Sequence, residues 1–178
     1  ISDPGFHIVK YLRQQSLSVV PIPGACAAIT ALCASGLPTD RFTFEGFLPS
    51  KQTARLATLT ALENETRTMV FYDAPRRAID TVDDIISALG EDRYIVLARE
   101  ITKAFETIYG DTAANIKTWL ESDANQQKGE LVLIIEGKKT VNNDISAEAK
   151  HTLKLLLAEL QMPMVILAFL YLQVYIMF

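Results

Sequence analysis

Four ionisable residues follow an apolar segment and could move a proton or hold a charged ligand. Arg99, Glu100, Lys103 and Glu106 come directly after the apolar residues 94–98. In α/β folds, ligand sites lie where strands end, and a lysine tuned by carboxylates can act as a base or as a cation. The same spacing also fits a solvated strand edge with weak ion pairs, so the pattern by itself favours neither interpretation.

A second candidate site is a short apolar segment that leads through a turn into a helix of small residues. Residues 18–22 predict a strand, Pro23 and Gly24 a turn, and residues 25–35 a helix ended by Gly36. Unpaired N–H groups at such a helix start can bind polar or anionic ligand atoms. Spacing alone favours the simpler alternative, a well-formed turn inside a packed domain.

Basic residues in predicted loops form the third signal, because together they could contact phosphate. The net charge of −4 and the pI of about 5.2 oppose a general affinity for nucleic acid, so any RNA contact requires a local basic patch. Scattered solubilising charge is the more economical interpretation from sequence alone. The loop residues concerned are Lys51, Arg55, Arg76, Arg77, Lys103 and Lys128.

Several classes of site are unsupported by the sequence. It contains no glycine-rich dinucleotide or P-loop fingerprint and no serine or cysteine nucleophile elbow. Cys26 and Cys33 stand seven residues apart without a second pair, and two histidines are too few for a typical metal site. We therefore predict no metal centre and interpret the cysteines as small hydrophobic residues.

Alternating helices and strands predict an α/β sandwich with a mixed sheet. We expect composition to change near residue 37 and again after Gly137, with a polar linker and an apolar tail over residues 138–178. The tail is too short for a membrane span of roughly 20 residues. The predicted helices are residues 6–13, 25–35, a segment ending near 62, 78–89 and 113–121, and the predicted strands are 18–22, 41–48, 68–72, 94–98, 105–109 and 131–136.

Several ordered motifs together resemble the tetrapyrrole methylase superfamily, the class III S-adenosylmethionine-dependent methyltransferases. They are residues 1–5 (ISDPG), 19–32 (VVPIPGACAAITAL), 44–49 (FEGFLP), 98–103 (AREITK) and 128–130 (KGE). The resemblance implies two α/β domains with the cofactor in the cleft between them. Residues 1–37 would be the C-terminal part of an incomplete first domain that starts in mid-domain, and residues 38–137 the second domain.

Within the superfamily the sequence is most similar to members that act on ribosomal RNA. The resemblance implies 2′-O-methylation of a cytidine in 16S rRNA of the small ribosomal subunit, by a cytoplasmic homodimer. Lys103, with Glu100 or Glu106, would deprotonate or polarise the ribose hydroxyl. The implied cofactor contacts are Ile1, Cys26, Ala27, Tyr72, Asp73 and Thr102, and the candidate RNA-backbone contacts are Lys51, Arg55, Arg76 and Arg77.

Two alternatives remain open from the sequence. A methylase of a corrin or porphyrin precursor would have the same fold and the same cofactor. A non-catalytic binding domain could keep the fold without binding the cofactor.

Overall fold

The computed structural model of the protein describes residues 5–139, which form five helices and five strands. Ile1 and most of the predicted tail lie outside the described residues. The helices are α1 Gly5–Gln14, α2 Ala27–Ala34, α3 Gln52–Ala61, α4 Ala78–Leu89 and α5 Ala113–Ser122. The strands are β1 Phe42–Phe47, β2 Thr68–Asp73, β3 Tyr94–Arg99, β4 Thr107–Thr112 and β5 Leu131–Ile135, and short 3-10 helices cover Pro75–Arg77 and Ala124–Gln127.

The five strands form one mixed sheet in the order β1-β2-β5-β3-β4. β1 is parallel to β2, whereas β5 is antiparallel to both β2 and β3, and β4 is antiparallel to β3. It follows that β1, β2 and β3 run in the same direction and end at the edge of the sheet where β5 begins. The predicted α/β class with a mixed sheet is confirmed.

Side chains alternate along the central strands and build one core on each face of the sheet. On one face Met69, Phe71 and Leu133 pack with residues of α3, α4 and α5. On the other face Val70 and Val132 pack with residues of α2. Because both faces of the sheet are covered here, the central strands are continuous apolar segments in the sequence and do not alternate between apolar and polar residues.

A β-bulge in β1 brings two phenylalanines onto the same face of the sheet. The register with β2 shifts between Phe44 and Gly46, and Gly46 has a positive φ of 76°. Without an extra residue, Phe44 and Phe47 would point to opposite faces because the side-chain period is two. With the bulge, their rings lie 5.1 and 5.3 Å from the ring of Tyr72.

The prediction of a strand at residues 18–22 is wrong. These residues have no regular secondary structure, and Val20 and Ile22 are 76% and 89% exposed. An apolar segment becomes a strand only when a neighbour pairs with its backbone, and no described residue does so. Pro21 and Pro23 also lack the N–H group that a ladder needs.

The other predicted elements are present with ends shifted by a few residues. The shifts are largest at β4, which begins at Thr107 instead of residue 105, and at α2, which begins at Ala27 instead of residue 25. Chain contacts group the described residues up to Lys138 in one compact unit. A boundary at residue 37 therefore stays a prediction. No helix within residues 5–139 has the length and hydropathy required to cross a bilayer.

Candidate functional site

A hollow of about 500 Å³ opens on the α2 side of the sheet, where β2 and β3 end and β5 begins. Its volume falls within the range of about 300–1,000 Å³ typical of small-molecule sites. Most of the wall is apolar, and a few polar groups stand at its rim. Among the lining residues are Ala27, Phe47, Tyr72, Asp73, Ile101 and Glu130.

The start of α2 forms one side of this hollow. Thr30 is the first residue whose N–H has a helical acceptor, the carbonyl of Cys26 at 2.9 Å, so the preceding N–H groups lie outside the helical ladder. The backbone N–H of Ile29 lowers the pKa of the Cys26 thiol, and Ala28 N–H and the Tyr72 hydroxyl act in the same direction. Burial raises the pKa of Tyr72. The Cys26 thiol thus links the start of α2 to Tyr72 at the end of β2, beside Ala27.

The carboxylate of Asp73 is turned away from the hollow and is occupied by protein donors. Oδ1 accepts the N–H of Ala74 at 2.8 Å and a hydrogen bond from Arg77, and Oδ2 accepts the Thr81 hydroxyl at 2.6 Å. The side chain of Asp73 has no exposed surface. Asp73 therefore shapes the turn that walls the hollow, and any contact with a ligand would come from its backbone.

The segment after β3, residues 100–106, forms the opposite side and has an unusual backbone. Glu100 and Thr102 have positive φ values of 52° and 64°, a conformation that residues other than glycine adopt at a cost and that is frequent at functional sites. Glu106 Oε2 accepts the Thr102 N–H at 2.6 Å. Ile101 lines the hollow, whereas Thr102 is exposed and absent from its wall.

Lys103 is held at the rim by two carboxylates. Its Nζ lies 2.9 Å from Glu100 Oε1 and 3.1 Å from Glu130 Oε2, and Glu130 lines the hollow. These two partners raise the pKa of Lys103, while Lys103 first, and then the Glu130 N–H, lower that of Glu100. The lysine therefore remains a cation at neutral pH. The Glu106 carboxylate bonds the Thr102 N–H, and the Glu106 N–H donates to the Lys103 carbonyl at 3.1 Å. The prediction that Glu106 tunes the lysine is therefore wrong, because its carboxylate bonds the loop backbone and not the Lys103 ammonium.

Gly129 permits the close approach of the two loops that border the hollow. Its φ is 90°, and a Cβ at this position would overlap the Glu100 carboxylate. The same carboxylate accepts the Glu130 N–H at 2.8 Å. The contact between Glu100 and Lys103 therefore depends on a residue without a side chain, glycine, at position 129.

Replacing Gly129 with alanine should displace Glu100 and separate the two loops. We expect the free energy of unfolding to fall by about 1–3 kcal/mol, because the new residue would keep a positive φ and would also meet the carboxylate. Urea denaturation measures this change. Gly36→Ala is the control, because Gly36 also has a positive φ, 71°, but has no atom within 4 Å of the added Cβ. Equal losses in the two variants would contradict the argument from overlap.

The predicted basic residues do not form one exposed group. Arg55 is 3% exposed, and its Nε lies 2.6 Å from the buried Asp84, so the prediction that it contacts RNA is wrong. Arg77 is mostly buried and bonds Asp73 and the carbonyl of Leu48. Lys51 and Arg76 are exposed.

Several residues of this site were not among the predicted site residues. They line the hollow and lie within the KGE, FEGFLP and AREITK motifs of the family resemblance: Gly129, Glu130, Phe47 and Ile101. The isolated glycine at position 46 was the one available signal for the bulge that places Phe47. Within the described part of the chain, no cluster of three or more metal-ligating side chains occurs.

Curated relatives match almost the whole chain. It is 56% identical over 162 residues to "Ribosomal RNA small subunit methyltransferase I" of Haemophilus influenzae and 52% identical over 160 residues to the protein of the same name from Escherichia coli O157:H7. These alignments cover 90% of this chain but only 57% and 56% of the relatives. The chain therefore spans a little over half the length of the curated relatives it matches.

Solved structures of low sequence identity share the fold. A cobalt precorrin-4 methyltransferase of cobalamin biosynthesis matches 75% of this chain and 58% of its own, with a TM-score of 0.54 and 16% identity. A diphthine synthase matches 75% of this chain and 54% of its own, with a TM-score of 0.55 and 20% identity. The profile of the Tetrapyrrole (Corrin/Porphyrin) Methylases matches residues 1–117. The chain thus belongs to the tetrapyrrole methylase family.

Proposed function

We propose that the protein carrying this chain transfers a methyl group from S-adenosylmethionine to ribosomal RNA of the small subunit. The observation that carries the proposal is the hollow between the start of α2 and the loop after β3, in a chain of a methylase family. Support for the RNA substrate comes from the names of the relatives at 52–56% identity.

The residues around the hollow suit S-adenosylmethionine. Apolar walls that include Phe47, Ile101 and Val132 fit an adenine ring, and Ala27, the first residue of α2, can offer its N–H to a polar atom. The carboxylate of Glu130 at the rim complements a positively charged sulfonium. The cofactor, when bound, would supply an electrophilic methyl group. Ala27, Tyr72 and the backbone of Asp73 are the residues we assign to holding it.

Lys103 is the residue we assign to the acceptor hydroxyl. A ribose hydroxyl is a poor nucleophile until its proton is removed or its developing charge is stabilised. Because the pKa of Lys103 is raised by Glu100 and Glu130, the side chain would act as a fixed cation that stabilises negative charge on the oxygen. Glu100 positions this cation, and Glu106 shapes the loop that carries it.

Lys51 and Arg76 are our remaining candidates for RNA-backbone contacts. Lys51 precedes α3, and Arg76 follows Pro75, which lines the hollow, so both lie near the edge where β1 and β2 end. Replacing both with alanine should weaken RNA binding and reduce the slope of log affinity against log salt by about 1–2. Filter binding at several salt concentrations measures this slope.

Lys138→Ala is the control for that experiment, because Lys138 is exposed after β5 and bonds Asn64. It should leave the salt slope unchanged. A slope that is the same in the Lys51/Arg76 double variant and in the unsubstituted protein would remove both residues from the RNA site.

The main test supplies labelled S-adenosylmethionine with either 30S subunits or a tetrapyrrole precursor. Transfer of label to 16S rRNA supports the proposal, whereas transfer to the tetrapyrrole supports the alternative enzyme of the same fold. Calorimetric titration with the cofactor alone addresses the third possibility, because a non-catalytic domain need not bind it. No binding and no transfer would refute the proposal.

The finer features of the proposal follow the family resemblance. We infer that the product is a 2′-O-methylated cytidine, that the enzyme is a homodimer and that it acts in the cytoplasm. Nucleoside mass spectrometry of digested rRNA separates ribose methylation from base methylation, and sedimentation equilibrium gives the oligomeric state. A methylated base or a monomer would contradict the corresponding inference.

A further inference from the structure

The buried side chain of Arg99 joins the two loops that border the hollow. Arg99 ends β3 and is 8% exposed. One Nη donates to the carbonyl of Phe105 at 3.0 Å and to the Thr107 hydroxyl at 3.2 Å. The other Nη donates to the carbonyl of Lys128 at 3.3 Å, and Nε to Gln126 Oε1 at 3.2 Å. One guanidinium therefore bonds residues of both loops.

The two joined segments carry much of the wall opposite α2. Residues 100–106 contribute Ile101, and residues 126–131 contribute Gly129, Glu130 and Leu131. Further contacts also link the two segments: the Glu100 N–H donates to the Glu130 carbonyl at 3.0 Å, the Glu100 carboxylate bonds Lys103 and the Glu130 N–H, and Lys103 pairs with the Glu130 carboxylate. The ion pairs of Lys103 are on the outside, where its side chain is 45% exposed. Arg99 is a buried link.

The chemistry of the guanidinium explains why arginine stands at this position. Its five N–H donors lie in one plane and diverge, so they can reach acceptors in two segments at once. A lysine has a single ammonium centre and would reach one segment only. The backbone strain at Glu100 and Thr102 must be held by surrounding contacts, and those of Arg99 flank this segment at Phe105 and Thr107.

We propose that Arg99 is a positioning residue that holds the loops 100–106 and 126–131 together and so gives the cofactor hollow its shape. It does not touch the ligand itself. Its effect on the cofactor rests on the function proposed above, whereas its effect on the two loops does not.

The first measurement is amide hydrogen exchange on three forms of the protein without cofactor: unsubstituted, Arg99→Ala and Arg93→Ala. Arg93 is the matched control, since it precedes β3 at the opposite edge and bonds two carbonyls, of Glu136 and Glu63. We expect Arg99→Ala to increase exchange in both loops together, and Arg93→Ala to leave them unchanged. Unchanged exchange in either loop of Arg99→Ala would overturn the proposal.

The second measurement is the affinity for S-adenosylmethionine by calorimetry, with and without added guanidinium at millimolar concentration. Loss of a group that positions binding residues costs about 10–100-fold in affinity at metal sites, so we expect a loss of that order in Arg99→Ala. Guanidinium should restore part of it in Arg99→Ala and none in Arg93→Ala. A folded Arg99→Ala variant with unchanged cofactor affinity would overturn the proposal. So would an equal gain of affinity on adding guanidinium to Arg99→Ala and to Arg93→Ala.

Arg99→Lys keeps the test decisive if the alanine variant does not fold. The lysine variant should keep protection in one loop and lose it in the other, with weakened cofactor affinity; full protection and full affinity would overturn the proposal. If the unsubstituted protein binds no cofactor, the proposed function fails, but hydrogen exchange still decides whether Arg99 joins the loops.

Discussion

Replacing Lys103 with alanine should reduce methyl transfer by about 10²–10³-fold, with little change in cofactor affinity, because it removes a cation that stabilises charge on the acceptor oxygen. The reason is that Lys103 is placed at the rim by Glu100 and Glu130, while the apolar wall of the hollow is built by other residues. Single-turnover transfer to 30S subunits measures the chemical step, and calorimetry measures binding. A variant with normal transfer would exclude Lys103 from the reaction.

Lys128→Ala is the matched control, because Lys128 is an exposed lysine two residues from Glu130 whose Nζ bonds Asn125. It should leave transfer unchanged. Equal losses in the two lysine variants would indicate a general effect of positive charge near the site, and not a role for Lys103 in particular.

The pH dependence distinguishes a lysine cation from a lysine base. The pKa of Lys103 is raised above its ordinary value of 10.5, so its charge is present at neutral pH and is lost only above that value. We expect no rise in the transfer rate from deprotonation of Lys103 between about pH 6 and about pH 9. A rise in that interval that disappears in Lys103→Ala would show that the residue acts as a base.

Replacing Asp84 with alanine should lower the free energy of unfolding by about 3–5 kcal/mol, because it leaves the Arg55 guanidinium buried without its partner. The two side chains are each 3% exposed, and Nε of Arg55 lies 2.6 Å from Oδ2 of Asp84. Gln52 Nε2 also bonds the Asp84 carboxylate at 3.2 Å. Urea denaturation of the chain measures the loss.

A double variant separates the net contribution of the ion pair to stability from the cost of leaving one buried charge unpaired. Replacing Arg55 with methionine and Asp84 with leucine removes both charges and should recover most of the lost stability. Asp83→Ala is the surface control, since Asp83 pairs with the partly exposed Lys117 and should change stability little. A double variant as unstable as Asp84→Ala would contradict this account.

This pair also shows where reasoning from sequence failed. Arg55 lies in a loop-to-helix segment with Lys51, and both look like exposed basic residues in the sequence. The partner that buries Arg55 is Asp84, 29 residues away on α4, and nothing local indicates that contact. Burial of a charge depends on which side chain faces it, so it cannot be inferred from residue type and spacing.

The site shows the same division between local and distant information. The family resemblance implied cofactor contacts at Ala27 and at Thr102, and the structure places Ala27 and Ile101, the residue before Thr102, around a single hollow. The resemblance was needed for this prediction, because periodicity alone does not pair remote segments. Neither the contact of Glu100 with Glu130 nor the hydrogen bonds of Arg99 to both loops could be predicted from the sequence.

The amino-acid sequence by itself determined most of the helices and strands, the mixed α/β class and the family, because apolar periodicity, turn residues and short motifs are local signals. The tertiary structure alone decided three other features: the missing strand at residues 18–22, the burial of Arg55, and the joining of two loops by Arg99. Each of these depends on whether a distant group is present to pair with a backbone or a charge. Such pairing is a property of the folded chain, because it brings together residues that the sequence keeps apart.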